Sequence, residues 1–115
     1  MVQMKDSRSS DALPLPIRRA LAKLGGDISL ARRLRGLSVK LMAERALVGR
    51  NTITRLEAGD PGVSIGIYAT ILYILGMADR LADLADPATD PVGLAQAEQA
   101  APKKPRARRS SDGVT

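Results

Sequence analysis

The sequence predicts an all-α protein with one small domain and two tails, and three observations support this. Hydrophobic residues make up 44% of the 115 residues while aromatic residues make up 2%, so the core must be aliphatic. Alanine and leucine lose little conformational freedom in a helix. Apolar positions recur at steps of three and four, and no alternating strand pattern is found. A chain of this length supports one core.

The composition also narrows the classes of function. Cysteine and histidine are both absent. Their absence excludes Cys/His zinc sites, thiol nucleophiles and disulfide bonds, and it removes the commonest general base. Two tyrosines are too few for an aromatic platform that binds single-stranded nucleic acid. We therefore expect neither enzyme activity nor a cofactor.

The sequence contains neither a membrane span nor a secretion signal. No window approaches 18 consecutive apolar residues, the length that a spanning helix needs. The first residues are polar and lack the apolar stretch of a signal peptide. We expect a cytoplasmic protein with no membrane partner.

Charge is distributed unevenly along the chain. Residues 14–59 contain ten Lys/Arg against three acidic residues, whereas residues 60–101 contain one against six. Residues 102–115 hold five against one. Such asymmetry is expected when one face of a protein meets a polyanion. Basic solvated surfaces are common, however, so charge alone favours nucleic acid only slightly.

The first predicted element follows a disordered leader, residues 1–13. An apolar stripe predicts a helix over residues 17–35, and it stays in phase across Gly25-Gly26. This favours one helix that the glycines weaken or bend. The alternative is a short helix followed by a second one capped by Asp27. Gly36 is the expected C-terminal cap.

Two short helices come next. Ser38 is a suitable N-cap for a helix over residues 38–46, and a three-residue link leads to a further helix over residues 50–58. The lengths of the two helices and of the link between them are those of a helix-turn-helix unit.

The last predicted elements contain the most apolar segment of the chain. Ser64 is expected to cap a helix through Leu75 that is apolar around almost its whole circumference. Such a helix must be buried on two sides. A final helix is predicted over residues 77–85. The proline-rich, basic remainder predicts a flexible tail over residues 87–115, so that residues 14–86 form the folded domain.

The second short helix has a polar outer face and N-terminal end, formed by Arg50, Asn51, Thr52, Thr54 and Arg55. Arginine suits the O6 and N7 atoms of guanine, and asparagine suits the N6 and N7 atoms of adenine, each through two hydrogen bonds. A helix with such residues at its start can enter the major groove. Threonine hydroxyls and the first backbone amides suit phosphates. The alternative is an ordinary solvated helix face.

These short helices resemble the Xre/Cro-repressor family of helix-turn-helix proteins. The resemblance covers residues 28–76 and implies a five-helix λ-repressor-like domain. It is carried by Gly36-Leu37-Ser38, Met42-Ala43-Glu44-Arg45-Ala46 and Val48-Gly49-Arg50-Asn51-Thr52-Ile53-Thr54-Arg55-Leu56-Glu57-Ala58-Gly59.

A narrower resemblance, to the HipB-like antitoxins, lies after the second short helix. It is carried by Gly59-Asp60-Pro61-Gly62-Val63-Ser64, the Ile/Leu-rich helix that follows, and Leu81-Ala82-Asp83-Leu84-Ala85-Asp86-Pro87. This resemblance implies an antitoxin that partners a HipA-type kinase toxin and represses its own promoter. A stand-alone regulator with no toxin partner is the alternative.

The resemblance also implies roles for single residues. The implied base-reading positions are Arg50, Asn51 and Arg55. The implied phosphate contacts are Ser38, Thr52 and Thr54. The implied structural ion pair joins Arg32 to Glu57.

The sequence departs from the family's pattern at three positions. Val39 replaces the usual Gln, which removes the usual side chain for one phosphate contact. Leu47 and Gly49 stand where the family prefers Gly and a capping Ser or Thr. A leucine in a left-handed conformation would be strained, so we expect the turn to differ locally.

The apolar helix after Ser64 is the expected site of dimerisation, because a chain this small has few elements to cover both of its faces. The side with Tyr68 and Leu72 is expected to face the core. The opposite stripe, the expected dimer surface, consists of Ile67, Ile71, Ile74, Met77 and Leu81. A two-fold dimer would read an inverted repeat in DNA. The expected partners are thus duplex DNA, a second copy of the chain and a HipA-type toxin.

Overall fold

A computed structural model describes residues 12–100, and every regular element within that range is helical. The elements are α1 (Leu15–Leu34), α2 (Val39–Ala46), α3 (Arg50–Glu57), α4 (Ile65–Ile74), α5 (Ala78–Ala82), a 3₁₀ turn (Pro87–Thr89) and α6 (Pro91–Ala100). The prediction of an all-α protein is confirmed for this range. No helix of this range has the length and apolarity needed to cross a bilayer. Most of the predicted leader, and the basic run 103–109, lie outside the described residues.

The chain divides into two compact units at Leu81 and Ala82. The first unit contains α1 to α4 and nearly all of α5. Its buried core is aliphatic apart from one tyrosine, and consists of Ile28, Ala31, Met42, Ala43, Ile53, Leu56, Val63, Tyr68, Ile71, Leu72 and Leu75. α3 packs against both α1 and α2, and α2 also packs against α4.

α1 is one continuous helix through Gly25-Gly26, as the periodicity favoured. The alternative of a second helix capped by Asp27 is wrong. The Asp27 carboxylate instead accepts a hydrogen bond from Lys23 on the exposed surface, at 2.7 Å. α1 ends as predicted, because Gly36 follows it in the left-handed conformation, with φ at 67°.

Gly25 and Gly59 form the closest approach of α1 to the end of α3. A Cβ atom on Gly25 would lie 2.6 Å from the carbonyl oxygen of Glu57. A Cβ atom on Gly59, whose φ is 80°, would lie 2.6 Å from the carbonyl oxygen of Leu21. Only glycine fits at such backbone contacts. Gly25 therefore allows close packing, and it is not the point of weakness that the sequence suggested.

α4 is enclosed on more of its circumference than the sequence predicted. Tyr68 and Leu72 face the core as expected, but Ile71 is also buried, at 1% exposure. α2 packs along α4, and Arg35 of α1 donates a hydrogen bond to the carbonyl oxygen of Leu75 at its C-terminal end. Ile71 itself belongs to the buried core cluster. The prediction that Ile71 belongs to a dimer surface is therefore wrong.

The rest of the predicted dimer stripe is only partly buried. Its members, which pack at the edge of the core, are Ile67, Ile74, Met77 and Leu81. Tyr73, to which the sequence analysis gave no role, is 73% exposed on the same helix. Tyr73 and parts of these four apolar side chains are therefore exposed to solvent.

The helix predicted over residues 77–85 is shorter in the structure, where α5 ends at Ala82. Leu84, which lies beyond its end, is exposed. Without buried apolar surface a short helix gains little stability, which explains its early end.

Residues 87–100, predicted to be flexible tail, form the 3₁₀ turn and α6 in the second unit. Asp86 and Asp90 stabilise these elements, since each carboxylate accepts a backbone N–H from the turn that follows it. Pro87 and Pro91 are the first residues of their helices, where a missing N–H group costs nothing. The sequence analysis took these prolines as signs of a flexible tail, and for residues 87–100 that interpretation was wrong.

The two neighbouring glycines of α1 should respond in opposite ways to the same substitution. Gly25→Ala forces a methyl group against backbone atoms and should destabilise the fold by about 1–3 kcal/mol or more. Gly26→Ala is the matched control, because a Cβ atom there meets nothing within 4 Å. It should stabilise the helix by about 0.5–1 kcal/mol. Urea denaturation of both variants measures the difference, and equal effects would contradict the close approach of α1 to α3.

Candidate nucleic-acid interface

The orientation of α3 is fixed from its buried side. Ile53 and Leu56 point into the core and are almost fully buried. α2 supports α3 and begins at Ser38, whose side-chain oxygen accepts the N–H of Leu41 at 3.0 Å, as predicted for an N-cap. The remaining positions of α3 therefore face outward or lie at its margins.

The turn between α2 and α3 keeps the left-handed conformation despite the leucine, so the expectation that it differs locally at Leu47 is wrong. Leu47 adopts φ 60° and ψ 41°, and its side chain is 90% exposed. The N–H of Leu47 donates to Glu44 and the N–H of Val48 donates to Ala43, which closes the C-terminus of α2. Left-handed backbone at a residue with a Cβ atom costs roughly 1–2 kcal/mol.

Arg50 and Asn51, at the N-terminal end of α3, are both exposed. Gly49 occupies the N-cap, so no side chain of the described residues caps this end, and the first turn contains no acidic residue. The N-terminal amides of a helix carry partial positive charge and lack partners within the helix. The end of α3 thus combines open N–H donors with an arginine and an asparagine.

The hydroxyl groups predicted to contact phosphates differ in what they already bind. Ser38 uses its oxygen as a hydrogen-bond acceptor, which leaves its proton free to donate to an anion. Thr54 donates its proton to the carbonyl oxygen of Arg50 at 3.2 Å, so it must break that bond to donate elsewhere. Thr52 is half-buried at the margin of the exposed face. Ser38 is accordingly the hydroxyl best prepared to bind a phosphate.

Arg55 is held by an acidic partner that the sequence analysis missed. Its Nε atom lies 2.8 Å from Oδ2 of Asp60, and its side chain remains 44% exposed. Oδ1 of Asp60 accepts the N–H of Gly62 at 2.7 Å. The hydrogen bond from Arg55, followed by that from Gly62, holds the pKa of the Asp60 carboxyl below its ordinary value. The sequence did contain a signal for this pair, because the acidic residue follows the arginine by five positions across the end of the helix.

Arg32 and Glu57 form a two-point ion pair between α1 and the end of α3. The Arg32 Nε atom lies 2.6 Å from one carboxylate oxygen of Glu57, and a terminal nitrogen lies 3.0 Å from the other. The two side chains are 10% and 12% exposed. The hydrogen bond with Glu57 raises the pKa of Arg32 above its ordinary value, so the guanidinium stays charged. This pair fixes α3 on α1 and leaves neither group available to a ligand.

The exposed charges of α2 and α3 are mainly basic. Lys40, Arg45 and Arg50 are exposed, and Glu44 is the exposed acid of these two helices. Among residues 12–100 no cluster of acidic side chains could hold a metal ion. The basic charge of this surface suits an anionic partner.

No protein-family model, curated protein or solved structure matches this chain. The resemblance to the Xre/Cro family therefore rests on the motif residues of the sequence and stays an expectation.

Leu47→Gly should stabilise the protein, because glycine adopts a left-handed conformation without strain. Glycine removes the backbone strain but also makes the unfolded chain more flexible, which offsets part of the gain. The free energy of unfolding should therefore rise by about 0.5–1 kcal/mol. The melting temperature should rise by about 2–8 °C.

Leu34→Gly is the matched control for this substitution. Leu34 is also largely exposed, but it ends α1 in helical conformation. Glycine at that position should lower stability by about 0.5 kcal/mol or more. Thermal unfolding by circular dichroism compares the two variants, and a stabilised Leu34→Gly or a destabilised Leu47→Gly would contradict the account of the turn.

Proposed function

We propose that this chain is a sequence-specific DNA-binding protein with a λ-repressor-like helix-turn-helix fold, in which α3 enters the major groove. The observation that carries the proposal is the contrast between the two sides of α3. Ile53, Leu56 and the Glu57 ion pair fix its inner side, whereas Arg50 and Asn51 extend from its uncapped N-terminal end. A fixed helix with exposed, base-compatible side chains at its start is the arrangement that major-groove recognition requires.

In this proposal the contacts divide into two kinds. Arg50 binds guanine and Asn51 binds adenine through paired hydrogen bonds, and these contacts provide sequence preference. The hydroxyl of Ser38 and the first amides of α3 bind phosphates, which fixes the register of the protein on the duplex. Arg55 is a third base-reading residue, held in place by Asp60.

We further propose that the protein acts as a homodimer on an inverted repeat. Apolar side chains left exposed near the C-terminal end of α4 support this, because Tyr73 is 73% exposed and Ile74 and Met77 are only partly buried. Exposed aromatic side chains are enriched at the centres of protein interfaces. Two copies related by a two-fold axis would present their α3 helices to successive major grooves, about 34–36 Å apart.

The regulatory role that we propose is repression of the protein's own promoter. The antitoxin role, with a HipA-type kinase toxin as partner, rests on the resemblance of residues 59–64 and 81–87 to the HipB-like antitoxins. A stand-alone regulator remains the alternative. A kinase-like gene beside this one would support the antitoxin role, and its absence would favour the stand-alone regulator.

Selection of bound duplexes from a random pool tests the proposed DNA recognition. We expect enrichment of an inverted repeat whose half-sites are centred about 10 base pairs apart. Arg50→Ala should weaken binding to the selected duplex by about 1–3 kcal/mol and relax the preference at one position of each half-site.

The control for Arg50→Ala is Arg33→Ala, which removes an exposed charge from the last turn of α1. It should leave the selected sequence unchanged. If Arg50→Ala weakened binding to all DNA sequences equally, Arg50 would contact a phosphate and no base. A pool that yields no enriched sequence with the wild-type protein would overturn the proposed function.

Tyr73→Asp should convert the dimer to a monomer, because it places a charge at the centre of the proposed apolar interface. Leu34→Asp is the control, since Leu34 is about equally exposed but lies on α1. Sedimentation equilibrium measures the mass of both variants. A Tyr73→Asp protein that remains dimeric, or a wild-type protein that is monomeric at high concentration, would contradict the proposed interface.

A further inference from the structure

The turn after α3 places Asp60 between Arg55 and the protein core. Its carboxylate accepts the Arg55 Nε–H at 2.8 Å and the Gly62 N–H at 2.7 Å. Its backbone carbonyl accepts the hydroxyl of the buried Tyr68 at 2.9 Å, and its own N–H donates to the carbonyl of Arg55. Asp60 is therefore fixed through both its side chain and its backbone, so Arg55 is attached to a rigid point.

Within the described residues the hydrogen bond of the Arg55 guanidinium uses Nε, which leaves the donors of its two terminal nitrogens for another partner. Asp60 binds Nε, and the Nη2 atom lies close to Gly62, where a Cβ atom would approach it to 3.2 Å. The terminal N–H groups lie in one plane and form the fork that binds O6 and N7 of guanine. A free arginine side chain must lose many rotamers to reach that position, whereas Arg55 has already lost them.

The same pair changes how Arg55 contributes to non-specific binding. Affinity for any DNA sequence depends on uncompensated positive charges that displace counterions from phosphates. Asp60 lies within salt-bridge distance of Arg55 and offsets its charge. Because the pKa of Asp60 is lowered by Arg55 and Gly62, the carboxylate stays ionised throughout the neutral range.

We propose that Asp60 is a positioning and specificity-determining residue, which directs the terminal nitrogens of Arg55 to a guanine and withholds the charge of Arg55 from non-specific phosphate binding. This inference rests on the proposed DNA-binding function. In the proposed complex Asp60 contacts no base itself, but it raises the ratio of specific to non-specific affinity for DNA.

Asp60→Asn separates this role from a purely structural one. Asparagine has one carbonyl oxygen, which can keep the hydrogen bond from Gly62, while its amide group cannot accept the Arg55 Nε–H. The turn therefore keeps its own hydrogen bond and Arg55 is released. The matched control is Asp86→Asn, because the Asp86 carboxylate likewise accepts a backbone N–H two residues later, from Ala88, but pairs with no described basic residue.

The experiment measures dissociation constants over a series of salt concentrations for three duplexes. These are the selected site, the same site changed at the base pair that Arg55→Ala identifies, and an unrelated sequence. For Asp60→Asn we expect discrimination at that base pair to fall roughly 2- to 12-fold, the effect of ordering one long side chain. We also expect tighter binding to unrelated DNA, with a salt slope steeper by up to about 0.9.

The Asp86→Asn control should show neither change. In an Arg55→Ala background, Asp60→Asn should leave the preference at that base pair unaltered, since the side chain that Asp60 positions is gone. If Asp60→Asn does not fold, Asp60→Ser serves instead, because a serine hydroxyl can accept the Gly62 N–H but is too short to hold Arg55.

Unchanged discrimination and an unchanged salt slope in a folded Asp60 variant would overturn the inference and leave Asp60 a structural residue of the turn. That outcome differs from failure of the proposed function, in which the wild-type protein itself shows no sequence preference.

Discussion

Arg32 is the residue on which the position of α3 depends. Its guanidinium binds both carboxylate oxygens of Glu57 and also donates to the backbone carbonyl of Leu37 at 2.8 Å, so it connects α1, the start of the α2 segment and α3. Because this charge is largely buried, the loss of any of these partners would leave a charge or a carbonyl without compensation. The backbone contact at Gly25 and Gly59 places Glu57 close enough to Arg32 for this pair to form.

The arginines of this chain differ in role because they differ in burial. Arg32 is enclosed and structural, Arg55 is half-exposed and held by Asp60, and Arg50 is exposed at an uncapped helix end. Arg32 is the only one of the three that is buried. In the proposed complex the fixed residues determine where α3 lies, and the exposed ones bind the DNA.

Local sequence patterns predicted α1 to α4 but missed α6, and tertiary contacts account for the other differences. Ser38, Ser64 and Gly36 act within one turn of the backbone, so their capping roles could be predicted from neighbouring residues alone. The packing role of Gly25 and the burial of Ile71 depend on which elements lie opposite, which periodicity does not reveal. The Arg55 pair with Asp60 was missed because it crosses the end of a helix, where helical spacing no longer applies.

Amide hydrogen exchange, with and without the selected duplex, tests the proposed contact of α3 with DNA most directly. The amides at the start of α3, around Arg50 and Asn51, have no side-chain cap among the described residues and should exchange rapidly in the free protein. The account predicts strong protection of these amides in the complex, together with those near Ser38, and no change in α6. Protection confined to α4, α5 or α6, with rapid exchange retained at Arg50 and Asn51, would contradict it.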